Sequence, residues 1–258
     1  MTGDSRRRTL PQNPYAEIPV AEWLVKLQSP GPIEDRYRAW SAVTTLLSPE
    51  DAWPHVMNVL SDTDAELRAT AAHWIAVVKE RGRIEPSETH RSDVQERILL
   101  LLADADPDVR LSATEAAVAW DVITPTVSAT VLELLRHPET EATSLATLCR
   151  LSGWLPDIAV KSVPRLAGLL SAEQADVREA AAHALAALGS RSVPAAPELV
   201  AALDDEEPLV REHAARALGQ LDFVDDALRT ALQVATTDED AVVAAAAQES
   251  LARLGGLS

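Results

Sequence analysis

The sequence predicts an all-α superhelix built from about seven helix pairs, and three observations lead to it. Apolar residues first recur at the helical period: counted from Val210, Ala214, Ala217, Leu218 and Leu221 fall at +4, +7, +8 and +11 and form one stripe. Degraded copies of the segment from Asp204 to Leu221 then recur along the chain. Their reference positions, equivalent to Val210, are Asp35, Leu67, Val109, Glu141, Val177, Val210 and Val243, at spacings of 32, 42, 32, 36, 33 and 33 residues. That is the period range of helical solenoids. Finally, the 258 residues are 47% hydrophobic but only 3% aromatic, so the core is built mainly from Ala, Leu and Val, which favours closely packed helices over sheets.

Taken in order, residues 1–18 are polar and punctuated by proline, and they read as a flexible or loosely docked arm carrying Arg6, Arg7 and Arg8. Residues 19–258 read as a single solenoid domain. Its first helices are expected at Val20 to Leu27, Ala52 to Leu60, Val94 to Leu102, Val127 to Leu135, Ile158 to Leu170, Val193 to Leu203 and Val224 to Val234. The second helices carry the stripe. Leu67 leads to Ala71, Trp74, Ile75 and Val78; Val109 leads to Ala113, Ala116, Ala117 and Trp120; Val177 leads to Ala181, Ala184, Leu185 and Leu188. Asp35 leads to Ala39, Ala42, Val43 and Leu46, and Val243 to Ala247, Ser250, Leu251 and Leu254. The unit around Glu141 is the weakest, with a charge at its reference position. Between the helices of a pair, Asp64, Asp106 and Asp240 stand three residues before the reference position, where a carboxylate caps the second helix. Asp62, Asp104, Asp205 and Asp238 recur five residues before it.

Two stretches break the spacing. Arg81 to His90 is extra length expected to loop out between helices. Gly153 to Pro156 follows the degenerate fourth unit and either bends the array or lengthens a turn.

The combination of a turn aspartate with Val-Arg-x-x-Ala-x-x-Ala-Leu is strongest from Asp104 to Ala117, Asp176 to Leu185 and Asp205 to Leu218. It resembles HEAT repeats, especially the shorter bacterial variety named after phycobilisome lyases, over roughly residues 19–255. The resemblance implies a right-handed solenoid with first helices on the convex face and second helices on the concave face. It also implies a structural ladder in which the turn aspartates, such as Asp62, Asp104 and Asp205, hydrogen-bond Arg36, Arg68, Arg110, Arg178 and Arg211, interrupted where Ala142 and Ala244 replace the arginine.

The net charge of −17 disfavours unaided binding to nucleic-acid phosphates or anionic membranes. It is uneven: residues 1–90, 91–172 and 173–258 carry −3, −4 and −10. No apolar run is long enough to span a bilayer and the first 20 residues lack a secretory core, so cytoplasmic residence is the expectation. Three lysines against twenty arginines, with abundant alanine, suggest a GC-rich bacterial genome. Cys149, the one cysteine, precludes an intramolecular disulfide and reads as a small buried hydrophobe.

No phosphate-binding glycine loop, metal-binding histidine pair at helical spacing, nucleophile elbow or zinc-deaminase pattern occurs. No catalytic residue, metal site or cofactor is therefore expected. The function read from the sequence is a noncatalytic scaffold or adaptor that binds another protein along its concave surface. Helical phase places Trp40, Thr70, His73, Ser112, Glu115, His183, His213 and Arg216 on that surface. Trp40 and Trp154 are the candidates for an exposed aromatic anchor, whereas Trp23, Trp53, Trp74 and Trp120 belong to the core. His183 and His213 fall on consecutive second helices as possible neighbours. Bilin lyase-like activity is the alternative implied by the resemblance, and a HEAT-like DNA glycosylase a third reading that the charge opposes. The sequence leaves the oligomeric state open.

Overall fold

The computed structural model describes residues 13–85, 87–137, 142–155, 158–223 and 225–255. Fourteen α-helices fall within them, and no strand is present among the described residues. They alternate as antiparallel pairs. The first helices are α1 (Val20–Gln28), α3 (Pro49–Val59), α5 (Glu88–Leu101), α7 (Pro125–Arg136), α9 (Ala159–Leu169), α11 (Ala196–Ala201) and α13 (Asp226–Ala235). Their partners are α2 (Ile33–Leu46), α4 (Ala65–Glu80), α6 (Pro107–Ala119), α8 (Ala142–Trp154), α10 (Ala175–Leu188), α12 (Pro208–Leu218) and α14 (Ala241–Gly255).

Local chemistry sets the helix starts. Asp64 accepts the Leu67 amide at 3.0 Å, Asp106 accepts those of Asp108 and Val109 at 2.9 and 3.2 Å, and Asp240 those of Val242 and Val243 at 2.8 and 3.3 Å. Each satisfies amides that the first helical turn leaves unpaired. Ser48, Ser87, Thr124 and Asp225 do the same for α3, α5, α7 and α13. Proline opens α3, α6, α7 and α12, where its missing N–H costs nothing.

The stripe residues form one continuous core. Ala71, Ala113, Ala117, Val177, Ala181, Ala184, Val210, Ala214 and Ala247 are fully buried. Small side chains at these contacts let α4 approach α6, α8 approach α10, and α10, α12 and α14 stack in series, whereas α6 and α8 stand farther apart. Cys149 is enclosed in this core, and burial pushes its thiol up to about 12. The large rings fill the wider N-terminal spaces. Trp53 lies 5.4 Å from Trp120 and 6.4 Å from Trp74, ring centre to ring centre, and its indole N–H donates to Asp93 at 2.9 Å. Trp120 donates to the Ile75 carbonyl at 3.0 Å.

Three sequence expectations change. Arg81 to His90 is not a loop throughout: Ser87 caps α5, His90 lies inside that helix and stacks 4.5 Å from Trp53, and the connection is held by buried Ile84. The extra residues have lengthened α5 at its start. The sixth first helix is broken, because Pro194 and Pro197 divide it into a 3-10 helix over Gly189–Ala195, the short α11 and a 3-10 turn over Ala202–Asp204. Within the segment read as an arm, Tyr15 meets the Trp23 ring edge-on at 5.9 Å and its carbonyl accepts the Trp23 indole N–H at 3.3 Å. Residues 1–12 lie outside the described part of the chain.

Candidate interaction face and the arginine ladder

The turn aspartates and helix arginines meet across repeats rather than within them. Arg36 forks onto Asp62, Arg68 onto Asp104 at 2.9 and 2.8 Å, Arg178 onto Asp205 at 2.8 and 3.0 Å, and Arg211 onto Asp238 at 2.8 and 2.9 Å. In the last three, the remaining guanidinium nitrogen donates back to the carbonyls of its own turn, for Arg178 those of Ala172 and Glu173, both at 3.0 Å. Each aspartate also accepts the backbone N–H two residues on. One guanidinium thus ties two turns and a helix start together. The Arg68 and Arg211 guanidiniums hold the Asp104 and Asp238 carboxyls below the usual carboxylate range. At Asp205 burial works the other way and is outweighed by Arg178 and the Glu207 amide.

The ladder breaks at the fourth pair. The position that would supply an aspartate to Arg110 is Arg136, five residues before Glu141, so Arg110 turns to Glu133 at 3.4 Å and keeps only its own turn carbonyls otherwise. Towards the C-terminal end of α6 a cleft of about 470 Å³ opens, lined among the described residues by the second helices α4, α6 and α8. Its floor is Ala76, Val77, Val118, Ala119 and Leu151, and its rim carries His73, Glu80, Glu115, Thr147 and Arg150. His73 Nδ1 lies 2.9 Å from Glu115 Oε2, and that carboxylate pushes the imidazole above its ordinary value. Arg150 donates to Thr147 Oγ1 at 3.1 Å along its own helix.

The other residues singled out from the sequence are distributed as follows. Thr70 donates to the Glu66 carbonyl of its own helix at 2.8 Å, and Ser112 is partly buried on α6. His183 and His213 are half-buried neighbours with ring centres 5.0 Å apart and planes at 83°. Burial, and then His183, push His213 below its ordinary value. Arg216 pairs with Glu212 at 2.8 Å. Trp40 is a correction: it is 5% exposed and belongs to the core, so it offers no anchor. Position +5 borders Ala39, Ala42 and Val43, and a large ring there fills the space such small residues leave. Trp154 ends α8, but its side chain lies outside the described residues. The cleft itself escaped the sequence reading. Its only signal was the run of larger apolar residues at +9 and +10, Val77, Val118 and Leu151, where the C-terminal repeats carry Ala186, Ala187 and Gly219. Among the described residues no group of three or more His, Cys, Asp or Glu is placed to hold a metal ion, and no helix is long and apolar enough to cross a membrane.

Stacked antiparallel pairs with a ladder of inter-repeat ion pairs define an α-solenoid repeat protein. Residues 163–252 match the family model of HEAT repeats. Solved structures agree on the fold. An engineered protein of the Northeast Structural Genomics Consortium is similar at TM-score 0.60 and 22% identity, over 79% of this chain and 96% of that one. A designed armadillo repeat protein is similar at TM-score 0.57 and 17% identity, over 78% and 99%. Computationally designed armadillo repeat proteins for modular peptide recognition give 0.55 and 16%, over 78% and 98%. No curated protein matches the sequence.

Proposed function

We propose that this chain is a noncatalytic scaffold that holds another protein along its concave surface, the face lined by the second helices. The observation that carries the reading is the cleft between α4, α6 and α8, an apolar floor with a polar rim that includes Glu115; His183 and Arg216 share the helical phase of Glu115, six residues after their reference positions. Rigid repeats joined by ion pairs present such a face without having to order it on binding. Designed armadillo repeat proteins made for modular peptide recognition are built on a similar fold; the likeness is one of architecture, and the cleft supports the reading here.

The test is affinity capture from native extract with the intact chain and a variant carrying Glu115→Arg and Arg216→Glu. The two positions lie on α6 and α12 and share the same helical phase, so the variant alters well-separated points of the proposed face. A protein retained by the intact chain and lost by the folded variant supports the reading. Equal capture by both sinks the assignment of this face.

A further inference from the structure

Of the clefts and clusters in the molecule, the one between α4, α6 and α8 carries an argument about what enters it. Elsewhere the second-helix face is floored by small residues, with Ala180, Ala182, Ala186 and Ala215 all buried. Here Val77, Val118 and Leu151 stand partly exposed over a space of about 470 Å³, the lower range for a pocket that encloses a side chain or small ligand. The space lies between α4, α6 and α8, where α6 and α8 stand apart, so it belongs to the packing of the repeats.

The rim is not symmetrical. Glu80 on α4 and Glu115 on α6 both line the cleft on the side those two helices form, and Glu115 holds the His73 imidazole there at 2.9 Å. Glu115 gives one oxygen to His73 and keeps the other. The one arginine of the rim, Arg150, belongs to α8 and is drawn along that helix by Thr147. The side formed by α4 and α6 is therefore an acceptor for a cation, with the apolar floor beside it. This rules against a phosphate backbone and against a plain hydrocarbon, and favours a segment that offers both features next to each other.

We propose that the cleft seats one bulky apolar side chain of an extended partner segment, with an adjacent lysine or arginine paired to Glu80 and Glu115. The inference rests on the scaffold reading and gives it a partner chemistry. Main-chain and flanking residues of the segment then run along the second-helix face, and the cleft fixes their register by accepting one anchor.

Selection of random 12-residue peptides displayed on phage against the full chain tests this, followed by fluorescence anisotropy of the enriched peptides. Enriched peptides are expected to share an aliphatic or aromatic residue beside Lys or Arg. Replacing that cation by Glu, or using the Val118→Asp chain, is expected to weaken binding at least tenfold, and the milder Glu115→Gln severalfold. Thr147→Lys, at the cleft rim on α8, provides a second block if Val118→Asp does not fold. Enriched peptides without the apolar–cation pair, peptides that bind the folded cleft variants as tightly as the intact chain, or no enrichment at all would overturn the proposal. Peptides lost with Arg216→Glu but indifferent to the cleft variants overturn it while leaving the scaffold reading standing; indifference to every one of these variants sinks both.

Discussion

A Cβ added to Gly219 would lie 2.2 Å from the Ser250 hydroxyl and 2.7 Å from the Ser250 Cα, because α12 and α14 cross there almost backbone to backbone. The hydroxyl cannot swing away freely, since it donates to the Ala215 carbonyl at 2.8 Å. Gly219→Ala is expected to cost about 1–3 kcal/mol, the range for overpacking a closed core. Gly153→Ala should cost less, because its nearest atoms are at 3.1 and 3.2 Å and belong to Ala187 and Ala184. Thermal melts of the two variants check the order. His73 gives a second test at this scale. Its imidazole is raised first by the hydrogen bond it donates to Glu115, so protonation favours the folded chain. That contribution is complete below the unfolded value of 6.5 and disappears as pH rises through the higher folded value. Histidine NMR titration should show a midpoint above 6.5 that falls in Glu115→Gln. Neither pairing was visible as a contact in the sequence. His73 and Glu115 both stand at +6, and that shared phase placed them on one face, but their mutual approach depends on how closely α4 and α6 pack.

Among the elements, the turns carry more of the inter-repeat bonding than their length suggests. Arg178 is 7% exposed and its partner Asp205 belongs to the next turn, so Arg178→Ala leaves a poorly solvated carboxylate without its cation. The expected loss is roughly 3 kcal/mol. Arg110→Ala, at the break, removes hydrogen bonds to two turn carbonyls and a long contact to an exposed glutamate, so about 1 kcal/mol is expected. Urea unfolding of the two variants gives the comparison, and loss of equal size would mean that the aspartate contributes little. The same pairs fix the acid limit. Asp104 and Asp238 sit below 3.8 in the folded chain, so their stabilisation is present above 3.8 and is lost as pH falls through the lowered folded values. These elements were legible because a capped turn and an arginine at fixed offsets survive divergence of the helices around them. The first helices were less so. Pro54 and Pro164 sit inside α3 and α9, and Pro194 and Pro197 break the sixth first helix, while the apolar pattern continues through all of them. Periodicity reports which face is buried and is blind to a missing amide.

For the whole molecule, a solenoid is held mainly by contacts between neighbours, so its cooperativity is only as strong as its weakest junction. The junction between α6 and α8 is one where both supports are reduced: among the described residues no arginine–aspartate pair crosses it, and the two helices stand apart over the cleft. Repeats before it share the pairs of Arg36 and Arg68, and repeats after it those of Arg178 and Arg211. Five of the six tryptophans, Trp23, Trp40, Trp53, Trp74 and Trp120, precede the junction and Trp154 ends α8 beyond it, so tryptophan fluorescence is weighted to the first block, whereas helical circular dichroism reports the entire chain. Two probes of one urea titration therefore separate the blocks. The tryptophan and dichroism transitions are expected to differ in midpoint, and Arg178→Ala should lower the dichroism midpoint while leaving the fluorescence midpoint nearly in place. A peptide bound across the cleft would bridge the junction and draw the two transitions together, because it stabilises only the state in which both sides are folded. Coincident transitions in the free chain, moved equally by Arg178→Ala, would show that apolar packing alone couples the fourth pair to its neighbours and that the gap in the ladder has no energetic consequence.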